Sequence, residues 1–315
     1  MQDIIKNCLK TLSCNIDARY YERMCLHTTF KVGGPADCYI KPSDDNFPLF
    51  CADIINKART AGIPVFILGG GANIVVSDSG IRGIVLDTTA WKGQCNDNQP
   101  VVNRLVFRSG TTMDEACEYA AEAGLTGLEF LAGMPGTIGG AVWMNARCYG
   151  KEISDCLSSV KIFNFNSSAF SEYSIEDKKG FDYKKSPFQE MDCLILSAAF
   201  DLKPGNKEQI ICEMDKNRRD RKEKGHYLFP CAGSAFKNNS DFGKPTGQII
   251  DELGLRGMTM GGAQIAPFHG NIVINKDNAA AADIKALMDK TAAIVKEKTG
   301  FELEPEIIFA GKFAI

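Results

Sequence analysis

The sequence predicts a protein of mixed helices and strands in two parts, and three observations carry the prediction. Short apolar runs such as 64–68 (PVFIL) empty directly into glycine clusters, as strands do when they deliver the chain to a loop. Longer stretches at 44–61, 112–124, 207–224 and 278–299 carry helical spacing or helical composition. A Pro204-Gly205 break separates a glycine-rich first part from a second that opens on a run of charge. At a prior of about 150 residues per domain, 315 residues accommodate two domains.

Taken in order, the helix at 44–61 places Leu49, Phe50, Ile54 and Ile55 at helical spacing. The strand 64–68 runs into Gly69-Gly70-Gly71-Ala72-Asn73. Further strands are expected at 83–88 (GIVLDT) and 104–108 (RLVFR), followed by the helix at 112–124 and a second glycine cluster between Gly133 and Gly140. The strand 193–202 (CLILSAAFDL) precedes the break. Beyond it, the helical segment 207–224 carries Arg218, Arg219, Arg221, Lys222 and Lys224. The helix at 278–299 sets Ile284, Leu287, Met288, Ile294 and Val295 on one stripe. A last strand is expected over 301–310. In it Phe301, Leu303, Ile307 and Phe309 alternate against Glu302, Glu304, Glu306 and Ile308.

Composition removes several classes. The 36 Lys+Arg against 39 Asp+Glu, a net charge of −3, leave no basic excess for a nucleic-acid partner. No apolar run approaches the ~18 residues needed to cross a bilayer, and residues 1–17 lack the pattern of a secretory signal. The 12 cysteines contain no C-x-x-C pair, and His27, His226 and His269 are scattered, so no zinc or iron–sulfur site is expected. Without a secretory signal the thiols are expected to stay reduced in a cytoplasm.

Glycine at a strand end lets the backbone turn tightly and approach a ligand with no side chain between them. Successive N–H groups in such a turn suit a pyrophosphate. Three clusters have this form: 69–73, 135–140, and Gly33-Gly34 after Thr29. Any one is an ordinary turn; the three together exceed what folding usually demands. Two nucleotide signatures are absent. Gly69 and Gly71 are two apart but position 74 is Ile, so G-x-G-x-x-G fails. Each Gly-Lys pair is followed by Glu152, Pro245 or Phe313, so the P-loop signature fails as well.

Five blocks occur in order: TFKVGGPAD (29–37), LGGGANIVVSD (68–78), GLEFLAGMPGTIGGAVWMNA (127–146), GSAFKN (233–238) and LEPEI (303–307). Together they resemble the UDP-N-acetylenolpyruvoylglucosamine reductase (UDP-N-acetylmuramate dehydrogenase) family, from about 25 to 310. The resemblance implies an α+β protein. Its FAD-binding part, over 1–205, has the vanillyl-alcohol-oxidase-like (PCMH-type) fold of two subdomains split near 85. A C-terminal α+β substrate-binding domain covers 206–315, and its last strand returns to the active site. The implied protein is a monomeric oxidoreductase of peptidoglycan precursor synthesis. Its cofactor is FAD, NADPH is its co-substrate, and it takes a nucleotide sugar with no membrane or nucleic-acid partner. Some relatives of this fold link the flavin to a histidine beside the first glycine loop; none stands here, so non-covalent FAD is expected. Gly69, Gly70, Gly71, Ala72 and Asn73, with Pro135, Gly136, Thr137, Gly139, Gly140 and Ala141, are expected to hold it. The block 261–275 (GGAQIAPFHGNIVIN) and the length fit the shorter form of the family, which lacks an extra substrate loop.

The family's chemistry needs a proton donor, a group that stabilises a developing enolate, and groups that bind a carboxylate and a diphosphate. Ser234 matches the proton-donating serine, and Glu306 the glutamate that helps polarise the carboxylate and enolate. Lys224, Asn238, Tyr183 and Asn145 fall at substrate-binding positions. Two departures stand out. Where the family has Tyr-Arg-x-Ser, this chain has Tyr183-Lys184-Lys185-Ser186. Lysine keeps the charge and loses the planar fork. Where a small glycine usually follows Asn145-Ala146, this chain has Arg147. Either Lys184 serves as a point-charge substitute in the catalytic site, or another cation, for which Arg147 is the candidate, reaches the substrate carboxylate. The rival readings are another flavin oxidase or dehydrogenase of the same fold, and a non-catalytic flavin- or nucleotide-binding homologue. Of the cysteines, Cys148 and Cys231 lie nearest these positions and are expected to meet an alkylating agent first.

Overall fold

The structure, a computed structural model, describes residues 2–10, 17–43, 46–95, 101–176 and 178–313. They form two compact units, and neither is a single stretch of chain. The first comprises Met1–Arg19, Cys38–Gly70 and Gly83–Asp220; the second comprises Tyr20–Asp37, Gly71–Arg82 and Arg221–Ile315. The chain passes between them after residues 19, 37, 70, 82 and 220. The sequence places one boundary near 205, whereas the last crossing falls at 220. The helix Lys207–Glu223 accounts for the difference. It buries Ile210 and Met214 in the core of the first unit, and its Arg218 guanidinium lies 2.7 Å from Asp114 and 3.0 Å from Glu118.

The first unit is built on a five-stranded antiparallel sheet, ordered Ala169–Ser174, Leu157–Asn164, Cys193–Asp201, Arg104–Arg108, Gln94–Cys95. Its apolar residues Phe107, Val160, Ala198 and Phe200 share one buried core with Ala116 and Ala120 of the helix Met113–Glu122 and with Ile138 and Val142 of the helix Ile138–Met144. A capping box between Thr112 and Glu115 starts the first of these helices. Val65–Leu68 pairs in parallel with the strand Ile81–Asp87, Val65 opposite Ile84 and Leu68 opposite Asp87. The expected helix at 44–61 is Phe47–Thr60, and it turns Phe47, Cys51, Ile54, Ile55 and Ala58 inward. Leu49 is 64% exposed, so the apolar face lies to one side of the predicted one. Positions 44–45 of that helix and Cys14 lie outside the described residues.

The second unit packs a four-stranded antiparallel sheet, ordered Cys231–Ser234, Ile272–Asn275, Ala263–Ile265, Thr259–Met260, with the helix Ala281–Thr299. The helix buries Ala281, Ile284, Leu287, Met288, Thr291 and Val295, the predicted stripe with Ile294 at its half-buried edge. Its start is capped from a distant segment: the Asp78 carboxylate accepts from the backbone N–H groups of Ala281 (2.8 Å) and Ala282 (2.9 Å).

The strand expected over 301–310 contracts to Ile308–Ala310, which pairs in parallel with Ile74–Val76. Upstream, Pro305 has no N–H to give a ladder, and only an isolated bridge joins it to Phe236. Gly33 and Gly34 also serve this unit's packing. A Cβ on Gly33 would sit 2.8 Å from the Cβ of Val76, and one on Gly34 would sit 2.0 Å from the carbonyl oxygen of Asp78. This third glycine cluster is therefore a close backbone approach between chain segments.

Candidate active site

In the first unit Gly69 and Gly70, the start of the first glycine cluster, meet the second cluster. A Cβ on Gly70 would lie 2.8 Å from the Cα of Gly136, and one on Gly69 would lie 2.8 Å from the Oγ1 of Thr137. Only glycine permits this approach. Thr137 caps the helix Ile138–Met144, its Oγ1 accepting from the N–H of Gly140. Gly139 donates its N–H to the Ser109 carbonyl at 2.8 Å, and a Cβ there would meet the Ser109 Cβ at 2.8 Å. Gly139 and the buried Ala141 thus hold the cradle together, while Pro135 is exposed. Among the described residues, the backbone N–H groups of Gly69, Gly70, Gly136 and Thr137 donate to no protein acceptor. A side-chain-free cradle with four unspent donors fits the diphosphate of FAD.

The same unit carries Tyr183 and Lys184 on a tight turn closed by the bridge between Asp182 and Lys185. Lys184 has φ 57°, in the left-handed region, and its carbonyl accepts from Gln189 Nε2 at 3.0 Å. Asn145, expected at a substrate-binding position, lies beneath the same turn. It is fully buried, donates Nδ2 to the Asp182 carbonyl at 2.9 Å, and accepts from the Ser154 N–H. With both ends of its amide engaged, it holds the turn that presents Tyr183 and Lys184. Arg147 is exposed, and its guanidinium carbon stands 5.4 Å from the centre of the Tyr183 ring.

The second unit ties the segments that carry Ser234 and Glu306 to each other. The backbone N–H of Glu306 donates to Ala235 at 2.9 Å, and that of Lys237 donates to Glu304 at 2.9 Å. Asn271, nearly fully buried, clamps the same segment from another side. Its carbonyl accepts from Ala235, and its side chain exchanges two hydrogen bonds with the Phe236 backbone at 2.9 and 2.7 Å. The strand Cys231–Ser234 is irregular. Cys231 pairs with Ile274 and Ser234 with Ile272, across a register shift at which Gly233 takes φ +73°. Such bulges re-aim side chains. Asn73, expected only to hold the cofactor, donates its amide to the Glu306 carbonyl at 3.0 Å.

Ser234 and Asn238 open onto a cavity of about 300 Å³, which also receives Gln248, Arg256, His269 and Asn271. The Asp251 carboxylate grips the Arg256 guanidinium at 2.5 and 2.6 Å. Burial, then the charges of Arg256 and Lys224, hold the His269 imidazole below its usual range. His269 Nδ1 accepts from the Asn271 N–H at 3.1 Å. Sequence reasoning missed Arg256, His269 and Asn271, although the block 261–275 contains two of them. A lone histidine off any metal spacing gave no signal. Among the described residues, no cluster of His, Cys, Asp or Glu could hold a metal ion.

The basic run at 218–224 is narrower than its composition suggests. Acidic neighbours hold Arg218, Arg221 is 8% exposed, and Arg219, Lys222 and Lys224 remain exposed.

Residues 50–168 match the model of an FAD binding domain, and residues 224–310 match the C-terminal domain of UDP-N-acetylenolpyruvoylglucosamine reductase. A UDP-N-acetylenolpyruvoylglucosamine reductase from Treponema denticola is 41% identical over 310 residues, covering 93% of both chains. The chain belongs to the UDP-N-acetylenolpyruvoylglucosamine reductase family. The reductase of Caldanaerobacter subterraneus is 35% identical, covering 99% of this chain and 100% of its own. The crystal structure of the Thermus caldophilus reductase superposes with a TM-score of 0.75 at 31% identity, covering 94% of this chain and 99% of that one. The α+β, FAD-binding fold class expected from the sequence is the one these matches describe. Among the described residues, no helix is long and apolar enough to cross a membrane.

Proposed function

We infer that this chain reduces UDP-N-acetylenolpyruvoylglucosamine to UDP-N-acetylmuramate in peptidoglycan precursor synthesis, with FAD as cofactor and NADPH as hydride source. It does so as a monomer in the cytoplasm. When bound, FAD supplies the relay that takes a hydride from NADPH and gives it to the terminal carbon of the enolpyruvyl double bond. The backbone N–H groups of Gly69, Gly70, Gly136 and Thr137, which donate to no protein acceptor among the described residues, would hold the FAD diphosphate.

Ser234 gives the proton from its Oγ to the carbon that bears the carboxylate, and solvent restores it. Glu306 stands against the carboxylate and the developing enolate. Lys184 and Arg147 offer positive charge to the same carboxylate, and Lys224 offers it to the diphosphate. Asn238 holds the nucleotide from the cavity wall.

The observation that carries this reading is the hydrogen bond from the Glu306 N–H to Ala235. It ties the main chain of Glu306 to the residue that follows Ser234, on a segment that Asn271 keeps in place.

An anaerobic rapid-mixing experiment tests it. NADPH should bleach the flavin absorbance of the purified protein, and the enolpyruvyl nucleotide should restore it. Restoration by oxygen alone would instead identify an oxidase of the same fold, and no bleaching would identify a binding protein without turnover.

A further inference from the structure

The first glycine loop does not belong to one unit. Gly71, its third glycine, lies in the second unit, together with Thr29 and the strand that carries Ser234. Gly71 has φ +60°, and a Cβ there would come within 2.1 Å of the His27 carbonyl oxygen, so the loop is pressed onto the segment 27–29. The Gly71 carbonyl accepts from the Thr29 N–H at 3.1 Å. The Thr29 hydroxyl donates to the Cys231 carbonyl at 2.7 Å, and its longer 3.5 Å approach to Gly71 leaves Cys231 the true acceptor.

Thr29 is itself fixed on both sides. Thr28 closes its own turn by donating Oγ1 to the Val32 carbonyl at 3.0 Å. Phe30 is fully buried in the core of the unit, and its carbonyl accepts from Asn275 Nδ2 at 3.2 Å. The strand that Thr29 reaches is the bulged one, between Cys231 and Ser234. A bulge interrupts the ladder that would otherwise fix the direction of a side chain, so a donor from outside the sheet has something to decide there.

We propose that Thr29 is a positioning residue for the proton donor Ser234, linking the third glycine of the cofactor loop to the bulged strand that aims the serine. The proposal rests on the assignment of Ser234 made above. Thr29 touches neither substrate nor cofactor in it. It fixes the carbonyl three residues before the serine, and so the direction in which the bulged strand presents the serine.

The test compares holoenzymes carrying Thr29→Val, which removes the hydroxyl at nearly constant shape, with Thr29→Ser, which retains it. Bleaching by NADPH and FAD affinity should stay within about threefold of wild type in both. Return of the flavin absorbance on adding the enolpyruvyl nucleotide should slow about tenfold or more in Thr29→Val, with a larger solvent deuterium isotope effect, and stay near wild type in Thr29→Ser. In a Ser234→Ala background, Thr29→Val should add no further loss, because the group it positions is gone.

An equal fall in both half-reactions, a fully additive double variant, or a wild-type rate in Thr29→Val would overturn the proposal. If Thr29→Val does not accumulate with FAD, Thr29→Ala takes its place, and failure of both would assign Thr29 to folding alone. The parallel Ser234→Ala measurement separates the two readings. A wild-type return in Ser234→Ala removes the serine assignment itself. A slow return there beside a wild-type return in Thr29→Val removes only the role of Thr29.

Discussion

The carbonyl of Ala235 accepts the backbone N–H of Glu306 at 2.9 Å, which fixes a carboxyl-bearing residue beside the serine at 234 by main-chain geometry. Side-chain substitution at either position leaves that bond in place, so the chemistry of Ser234 and Glu306 can be varied without moving the segments that carry them.

The cradle makes the sharpest demand. A Cβ at position 70 would sit 2.8 Å from the Cα of Gly136, where only backbone can yield. Gly70→Ala should cost about 1–3 kcal/mol of stability through forced displacement and should be purified largely without yellow colour. Full FAD occupancy in that variant would contradict the role of the cradle.

Arg147 and Lys184 separate by their kinetics. Arg147→Ala should raise KM for the enolpyruvyl nucleotide about tenfold, the scale of one lost charge-assisted hydrogen bond, while bleaching by NADPH is unchanged. An unchanged KM in Arg147→Ala beside a crippled Lys184→Ala would leave Lys184 as the sole carboxylate cation.

His269 gives a pH signature with a definite sign. Its folded value is depressed by burial, Arg256 and Lys224, so the unfolded chain takes up the proton first as pH falls. Stability is then complete above the ordinary histidine value of about 6.5 and declines below it, toward the lower folded value. Melting temperatures recorded from about pH 8 down to about pH 5.5 should fall more steeply for wild type than for His269→Gln. Parallel curves would show that His269 does not titrate between the two states.

Thiol reactivity should not follow proximity to the predicted site. Cys212 is exposed, whereas Cys231 is half-buried and burial pushes its thiol up. Burial likewise lifts Cys156 to about 12 and Cys193 to about 11. Peptide mapping after brief iodoacetamide treatment should find Cys212 modified before Cys231. The opposite order would restore the sequence expectation.

Much of this was legible in the residues. Glycines 69, 70 and 136 announced a close backbone approach because no other residue tolerates it, and GSAFKN and LEPEI singled out two segments that the fold hydrogen-bonds to each other. What stayed hidden depends on long-range partners. Nothing local to Asn145 says that its amide is consumed by Asp182 and Ser154. Nothing local to Asp78 says that it caps a helix some 200 residues on. The overlong final strand has the same cause. Alternation at 301–310 reported the faces correctly for Leu303 and Ile307, but a ladder needs a neighbour, and only Ile74–Val76 supplies one, opposite Ile308–Ala310.

The five crossings between the units bear on how this protein can be dissected. A fragment beginning at Arg221 would contain the whole segment that matches the reductase C-terminal domain. It would still lack Ile74–Val76, the partner of its terminal strand, Asp78, the cap of its longest helix, and Phe30, a plug of its core. The smallest piece with an intact second unit must therefore carry residues 20–37 and 71–82 as well. A circularly permuted or split version should be cut in exposed loops and should keep all three stretches, not follow the family boundary.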